Sequence, residues 1–262
     1  MTTAAHTAPH TAAHDTARTT IDPGEIARFS AIAAEWWDPK GKFRPLHKFN
    51  PVRLAWLRDT ICRHMGRDPL SPLPLQGIRI VDVGCGGGLI AEPLARLGAT
   101  VVGIDAAERN VKTAAAHAAE TGVDVDYRAT TAEDLVATGD RFDVVCALEI
   151  VEHVADVDLF LSAVTALARP GGLIFMATLN RTPKSYLFAI IGAEYVLRWL
   201  PRGTHDWRKF LRPAELAGGL RRNGADVREM TGVVFNPLTD RFSLASNDLD
   251  VNYMLYAIRG TP

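Results

Sequence analysis

One segment of this 262-residue chain constrains its fold more than any other. A short apolar run, residues 78–83, passes directly into Gly84, Gly86, Gly87 and Gly88. The run predicts a buried strand, and the residues after the glycines have a helical pattern. A turn that lets a ligand approach the backbone cannot tolerate a Cβ atom, and some of its residues need positive φ angles. The segment therefore predicts a strand–turn–helix unit with a ligand pocket at the turn.

A carboxylate follows at the end of the next apolar run. Asp105 closes residues 100–104 and lies about 20 residues after the glycines, where a carboxylate accepts hydrogen bonds from ribose hydroxyls. These motifs predict a cofactor that carries a nucleoside. The dinucleotide fingerprint G-x-G-x-x-G/A fails from Gly84, because Leu89 occupies its sixth position, but it is satisfied from Gly86 to Ala91. A nicotinamide cofactor therefore stays open at this point.

Strands and helices alternate from residue 78 onward. Strands are predicted over residues 78–83, 100–105, 125–129, 142–147 and 173–179, and helices over 88–97, 108–121, 132–137 and 157–168. This alternation predicts a parallel sheet with helices on both faces, and ligands bind at the carboxyl ends of its strands. Gly84, Asp105 and Leu148 lie at those ends. A further helix over 213–223 and two strands over 225–234 and 251–258 complete a predicted seven-stranded sheet.

The chain divides into three predicted parts. Residues 1–20 are mostly Ala, Thr and His and predict a disordered tail without the apolar core of a signal peptide. Residues 21–77 predict a helical cap and linker, in which Asp22, Pro23 and Glu25 begin a helix over 23–37, and a second helix covers 51–65. Residues 78–262 form the main domain, with a helical insertion over about 183–212.

Composition excludes several classes of protein. The net charge is −1 with both signs interspersed, so there is no general attraction for nucleic acid. Cys62, Cys85 and Cys146 are too few for a disulfide framework and are not spaced as a zinc site, which fits a reducing, cytoplasmic compartment. No apolar run approaches the roughly 18–20 residues that span a bilayer.

A second group of polar residues follows the fourth predicted strand. The spacing of Glu149, Glu152 and His153 predicts that all three share one helix face. Two carboxylates and an imidazole suit a hard divalent ion such as Mg²⁺, which lowers the pKa of a coordinated hydroxyl. The alternatives are a solvated helix start and His153 acting alone as general base. His205, beside Asp206 and Trp207, is a second candidate catalytic histidine in the region that covers the predicted site.

Asp82 changes the interpretation of the glycine turn. The pattern Asp82-x-Gly84-x-Gly86-x-Gly88 resembles the first motif of class I S-adenosylmethionine (SAM) methyltransferases. In that family the acidic residue helps to hold the glycine loop and the amino-acid end of the cofactor. The resemblance implies SAM rather than a nicotinamide cofactor. It also implies a Rossmann-like seven-stranded sheet with helices on both faces, an N-terminal helical extension and a helical insertion after the fifth strand.

Segments outside that motif resemble the bacterial ubiquinone biosynthesis O-methyltransferases. They include Ala34-x-x-Trp37-Asp38, Asn50-Pro51-x-Arg53-Leu54, Gly192-Ala193-Glu194-Tyr195, Gly203-Thr204-His205-Asp206 and Asp250-Val251-Asn252-Tyr253-Met254. The resemblance covers about residues 22–256. It implies O-methylation of a polyprenylated ring at two stages of ubiquinone assembly, once on a polyprenyl catechol and once on 3-demethylubiquinol.

The resemblance also assigns residues to the cofactor. It implies contacts at Arg53, Gly84, Asp105 and Leu148, in addition to Asp82, Gly86 and Ala132, and it strengthens the prediction of Mg²⁺ at Glu149, Glu152 and His153. Arg53 is expected to pair with the cofactor carboxylate. Many relatives carry an acid for the adenine amino group where this chain has Thr131, which leaves the Ala132 backbone and Glu133 as candidates.

A polyprenylated substrate implies a membrane surface or a lipid-delivering complex as partner, and a cytoplasmic protein peripherally associated with the inner membrane. Residues 183–201 are apolar with basic ends and predict an interfacial helix, the alternative being a buried helix that covers the active site. Three other functions stay open: a SAM-dependent methyltransferase of another lipid or small molecule, a nicotinamide-dependent oxidoreductase, and a nonenzymatic SAM-binding or membrane-scaffold protein.

Overall fold

The computed structural model describes residues 18–187 and 206–261. Its strands are β1 (Arg79–Val83), β2 (Thr100–Asp105), β3 (Asp126–Ala129), β4 (Phe142–Leu148), β5 (Ala168–Leu179), β6 (Ala225–Asn236), β7 (Arg241–Ala245) and β8 (Asn252–Arg259). Its α-helices are α1 (Pro23–Ala31), α2 (Arg44–Met65), α3 (Ala91–Arg96), α4 (Glu108–Thr121), α5 (Ala132–Ala137), α6 (Val157–Leu167), α7 (Pro183–Ser185) and α8 (Pro213–Arg222). Short 3-10 helices cover Ala33–Glu35, Val151–His153 and Trp207–Lys209.

All described strands belong to one sheet with the order β3-β2-β1-β4-β5-β8-β6-β7. The first five strands in that order are parallel, and β8, β6 and β7 continue the sheet in antiparallel fashion. The predicted α/β, Rossmann-like fold is confirmed. The sheet has eight described strands rather than the predicted seven, because β6 continues to Asn236 and pairs with β7 as a hairpin. The β7 strand is short and half exposed, so it leaves little pattern in the sequence.

Apolar side chains fill both faces of the sheet. Adjacent residues of a strand point to opposite faces, so Val81 enters one core and Ile80 the other. The first core packs under α5, α6 and α8, and the second packs under α2 and α3. Two layers of helices therefore hold the sheet in place, and the carboxyl ends of β1, β2 and β4 meet at one edge.

The N-terminal helices differ from their predicted bounds. Helix α1 ends at Ala31, and the chain then turns through Ala33–Glu35, so Trp36 and Trp37 are not part of the helix. Helix α2 begins at Arg44 and contains Pro51 in its interior, whereas the sequence predicts a start at Pro51. Proline removes a single backbone donor, and burial of the long α2 face compensates for that loss.

Part of the predicted insertion lies outside the described residues. The predicted interfacial helix over 183–201 is described only as far as Leu187, and His205 and tail residues 1–17 are also outside. Within the described ranges, none of the helices combines the length and the apolar composition that a bilayer-spanning helix needs.

Candidate active site

A cavity opens at the carboxyl ends of the parallel strands. It holds about 780 Å³, counting the space open to solvent. Six of the predicted site residues line it together: Gly84, Gly86, Asp105, Ala132, Glu149 and His153. Arg53, Asp82, Leu148 and Glu152 are buried behind its wall rather than in its lining. The described structure therefore brings most of the predicted residues to one place, in two layers.

The glycine loop forms the floor of this cavity. Gly84 and Gly86 have φ angles of +74° and +54°, which L side chains rarely adopt. A Cβ atom on Gly84 would lie 2.8 Å from the Ile150 side chain, and one on Gly86 would lie 2.5 Å from the Trp36 ring. Glycine is needed at both positions because of backbone conformation and close packing together.

Asp105 joins the end of β2 to the glycine loop. Its Oδ2 accepts hydrogen bonds from the Gly86 amide at 3.0 Å and from Asn110 Nδ2 at 3.3 Å, and its Oδ1 accepts one from the Ala107 amide at 2.7 Å. Burial raises the pKa of Asp105, and these hydrogen bonds oppose the rise. The carboxylate thus lines the cavity and joins β2 to the glycine loop.

A cluster of buried charges lies behind the loop. Arg53 is 2% exposed and Asp82 is 3% exposed. Arg53 Nη2 donates to Glu149 Oε1 at 2.6 Å, and the guanidinium lies 4.0 Å from the centre of the Phe49 ring. Burial raises the pKa of Asp82 to about 7, although the positive charge of Arg53 works in the opposite direction. Burial and the charge of Glu149 also raise the pKa of Glu152.

Three atoms of this cluster are left without partners. Arg53 Nε, Asp82 Oδ2 and Glu152 Oε2 are buried and have no hydrogen-bond partner among the described residues. A buried polar atom is stable only when it is hydrogen-bonded, so Arg53 Nε and Asp82 Oδ2 are suited to a ligand. A carboxylate complements Arg53, and an ammonium group complements Asp82. The amino-acid end of SAM carries both groups, so these residues fit that cofactor.

The predicted metal ligands do not share a helix face, which corrects the sequence interpretation. Glu149 has a φ angle of +54°, uncommon for a residue other than glycine, and the next turn is the 3-10 helix Val151–His153. Glu149 therefore reaches Arg53, Glu152 is buried, and His153 lines the cavity. Within the ranges that the structure describes, no three His, Cys, Asp or Glu side chains are grouped to hold a metal ion.

His153 is held by helix α1, a contact that the sequence did not predict. Its Nδ1 lies 3.1 Å from Glu25 Oε2, and its ring meets the Phe29 ring edge-to-face, with 5.1 Å between the ring centres. Glu25 is visible in the sequence only as an acidic residue in the first turn of a helix. Its position 128 residues before His153 gives no local signal of the contact.

Residues 18–20 also contribute to the site, although the sequence assigns them to a disordered tail. The Thr20 amide and hydroxyl both donate to Glu133 Oε1 at 2.9 Å, and the Thr20 carbonyl accepts from the Ala155 amide at 3.0 Å. Glu133 is thus engaged by the N-terminal segment. Thr131 Oγ1 caps α5 by accepting from the Asp134 amide, and Ala132 is left in the cavity lining.

Comparisons with known proteins agree with this architecture. A family model described as a methyltransferase domain matches residues 81–176. The ubiquinone biosynthesis O-methyltransferase of Brucella anthropi is 60% identical over 244 residues, which are 93% of this chain and 98% of the relative. The protein of the same name from Sinorhizobium fredii is also 60% identical over 244 residues, with the same coverage of 93% and 98%.

Two solved structures share the fold. The magnesium protoporphyrin IX methyltransferase of Synechocystis, with bound SAH, has a TM-score of 0.52 at 20% identity, over 80% of this chain and 85% of that one. An N-methyltransferase of Bradyrhizobium japonicum, in complex with S-adenosyl-L-homocysteine, has a TM-score of 0.56 at 13% identity, over 91% of this chain and 98% of that one.

The prediction of a SAM-dependent O-methyltransferase is confirmed by the relatives together with the methyltransferase domain. The chain belongs to the family of ubiquinone biosynthesis O-methyltransferases.

Proposed function

We propose that this protein transfers the methyl group of SAM to a ring hydroxyl of polyprenylated catechol and quinol intermediates, including 3-demethylubiquinol. The names of the relatives support the pathway. The observation that supports the chemistry is that Asp105, the glycine loop and His153 line the same cavity. In this proposal residues 21–77 act as a cap over the cavity, and residues 78–262 form the catalytic domain.

The cofactor is held in three places. Asp105 accepts hydrogen bonds from the ribose, and the backbone near Ala132 contacts the adenine. Arg53 and Asp82 hold the amino-acid end through Arg53 Nε and Asp82 Oδ2, which are buried and have no hydrogen-bond partner among the described residues. Gly84 and Gly86 allow the cofactor to approach the backbone without a clash. Leu148 lies behind this wall at the end of β4 and supports it by packing.

His153 is the general base in this proposal, because its imidazole lines the cavity beside Glu149. A phenol has an ordinary pKa of about 10, so the neutral form predominates at neutral pH and is a poor nucleophile. Removal of the hydroxyl proton by His153 increases the electron density on the oxygen. When bound, SAM supplies a methyl carbon that this oxygen attacks while the carbon–sulfur bond breaks and its electron pair passes to sulfur.

One experiment tests this function directly. The purified chain is incubated with labelled SAM and a short-chain demethylubiquinol, and the methylated product is quantified. We expect His153→Ala to lower kcat by roughly 10²–10⁴-fold, the usual contribution of a general base, with the Kd for SAM unchanged. Asp105→Asn is the matched control, since it weakens SAM binding first. Absence of methyl transfer by the wild-type protein would contradict the proposal.

The role of Mg²⁺ is tested separately. As arranged, Glu149, Glu152 and His153 do not fit a divalent ion, because Arg53 holds Glu149 and burial keeps the pKa of Glu152 raised. No step of the proposal therefore uses a metal. Titration calorimetry of Mg²⁺ into the cofactor-free protein is expected to show no binding at these residues. Binding that Glu149→Gln abolishes would overturn this assignment.

We also propose peripheral contact with the cytoplasmic face of the inner membrane, or with a lipid-delivering complex. Tyr186 and Leu187, the last described residues of the predicted interfacial segment, are 47% and 52% exposed, and Lys184 lies beside them. Lys184 pairs with Asp248 and Asp250, so the two exposed apolar side chains are the groups that suit a bilayer surface. The double substitution Tyr186→Ser, Leu187→Ser is expected to reduce sedimentation with phosphatidylglycerol vesicles. Leu70→Ser, at a leucine that is 83% exposed in the linker, is the control. Equal loss in both proteins would contradict the assignment.

A further inference from the structure

Two side chains of helix α1 contact the imidazole of His153. Glu25 and Phe29 are four residues apart, so they lie on the same face of α1. Glu25 Oε2 is 3.1 Å from His153 Nδ1. The Phe29 ring stands at 85° to the imidazole plane, with 5.1 Å between the ring centres. All three side chains also line the cavity.

We infer that Glu25 and Phe29 are positioning residues, which hold the imidazole of His153 in the orientation that methyl transfer requires. This inference rests on the proposed role of His153 as the base. It also assigns different roles to the two parts of the chain. The catalytic histidine comes from the domain after residue 78, and the groups that orient it come from the N-terminal cap.

The carboxylate of Glu25 selects one tautomer of the imidazole. An ionised carboxylate is an acceptor only, so the hydrogen bond places the histidine proton on Nδ1. Nε2 is then the ring nitrogen that takes the proton of a substrate hydroxyl. Burial of Glu25 tends to raise its pKa, but the hydrogen bond with His153 and the positive charges of Arg28 and Lys209 act against burial, and the pKa is lowered. The carboxylate is therefore ionised at neutral pH.

Phe29 supplies the second constraint. A single hydrogen bond fixes the position of one ring atom but leaves the imidazole able to swing about it. The edge-to-face contact with Phe29 restricts the plane of the ring, and aromatic pairs of this kind contribute about 0.5–1.5 kcal/mol beyond area burial. The two contacts together define both the tautomer and the direction of Nε2.

Glu25 also has structural partners, which the test must separate from its effect on His153. Arg28 Nη1 lies 3.1 Å from Glu25 Oε2, and Lys209 Nζ lies 3.6 Å from Glu25 Oε1 and 3.0 Å from Asp22 Oδ2. Lys209 therefore anchors α1 through Asp22 and Glu25. Lys209→Met is a matched control that removes anchoring and leaves the Glu25–His153 hydrogen bond in place.

The experiment measures kcat and KM for a short-chain demethylubiquinol, the Kd for SAM and the melting temperature. Glu25→Ala is expected to lower kcat by roughly 10–100-fold, by analogy with the partners that orient metal-binding histidines, with little change in the Kd for SAM. Glu25→Gln, which retains an acceptor oxygen for Nδ1, is expected to recover most of kcat. Phe29→Leu is expected to lower kcat and leave the Kd for SAM unchanged. Lys209→Met is expected to lower the melting temperature and leave kcat near the wild-type value.

A double-mutant cycle distinguishes the possible failures. If Glu25 acts through His153, Glu25→Ala has no further effect on kcat in the His153→Ala protein. An additional loss of kcat in that background, or an equal loss in Lys209→Met, would show a purely structural role and overturn the inference. A His153→Ala protein with wild-type kcat would instead refute the proposed base, whichever result Glu25→Ala gives.

Discussion

Single residues in this site have properties that their type alone does not predict. Asp82 is a carboxyl group whose pKa burial raises to about 7, and Glu149 has a left-handed backbone next to the cavity. Strained backbone of this kind persists when the surrounding structure imposes it, and here the Arg53 guanidinium holds the Glu149 carboxylate. The position of the Glu149 carboxylate therefore depends on Arg53, which α2 carries into the interior.

The raised pKa of Asp82 predicts an unusual pH dependence of stability in the cofactor-free protein. The folded state binds a proton on Asp82 up to about pH 7, whereas the unfolded chain releases it near the ordinary value of 3.8. The contribution is complete below the unfolded pKa and is lost as pH rises through the folded pKa, at up to about 1.4 kcal/mol per pH unit. Urea unfolding between pH 5 and pH 8 measures it. We expect the unfolding free energy of Asp82→Asn to fall less steeply with pH than that of the wild-type protein. If the two proteins show the same dependence on pH, the assignment is contradicted.

At Gly86, the addition of a single methyl group is expected to lower the unfolding free energy strongly. Gly86→Ala introduces a Cβ atom 2.5 Å from the Trp36 ring at a φ angle of +54°, so it adds overpacking to backbone strain. Strain accounts for roughly 1–2 kcal/mol of unfolding free energy and overpacking for roughly 1–3 kcal/mol more. Gly122→Ala is the control, because its φ angle is +67° and nothing lies within 4 Å of the new atom. Denaturant unfolding should show the larger loss for Gly86→Ala, together with weaker SAM binding.

At the scale of elements, the segment after α1 secures the glycine loop from above. Trp36 stacks on Phe43 with 3.7 Å between ring centres, and its Nε1 donates to Asn110 Oδ1 at 3.0 Å. Trp37 stacks on His117 at 3.5 Å and donates to the Gly87 carbonyl at 2.8 Å. The loop is thus held between the sheet below and two tryptophans above.

Trp37→Phe tests that arrangement. The substitution retains stacking on His117 but removes the hydrogen bond to Gly87, so we expect a loss of about 1 kcal/mol in unfolding free energy and a weaker affinity for SAM. Trp207→Phe is the matched control, because Trp207 Nε1 donates to the Thr182 carbonyl, away from the loop. The control should lose similar stability and bind SAM normally. Equal SAM affinity in both variants would show that Trp37 has no effect on the loop.

At the scale of the whole molecule, the cavity is built from parts that are distant in sequence. Thr20 to Phe29 form one wall, the glycine loop and Asp105 form the floor, and Glu149 to Val154 form a second wall that contacts the first through His153. A ligand that contacts all of them binds only the folded chain. Cofactor binding is therefore expected to stabilise the N-terminal cap and the sheet as a unit.

This coupling predicts a large thermal shift with the correct cofactor. At 100 times its Kd, SAM adds about 2.7 kcal/mol to the unfolding free energy, which corresponds to a rise of roughly 5–11 °C in melting temperature for a chain of this size. Scanning calorimetry or dye fluorescence measures the shift. NADH at the same concentration should produce none. A comparable shift with NADH would revive the nicotinamide alternative that the glycine fingerprint leaves open.

Local sequence patterns predict the fold correctly but predict the arrangement of the site only in part. The glycine turn, Asp105 and the alternation of strands and helices depend on periodicity and short spacing, and the fold they predict is confirmed. The helix face of Glu149, Glu152 and His153 also rests on spacing, yet it is wrong, because the backbone at Glu149 is not helical. Residues three or four apart share a face only if the backbone between them is helical.

By itself, the sequence determined the layers of the fold, the cofactor loop and the family, because each is encoded in motifs that a few neighbouring residues complete. Only the tertiary structure decided which side chains work together. Glu25 meets His153 across 128 residues, Thr20 meets Glu133 across 113, and Arg53 meets Glu149 across 96. Such pairs form when α1 and α2 pack over the strand ends, and that packing buries Asp82, which raises its pKa, and brings Glu25 to His153. Neither effect exists before the chain has folded.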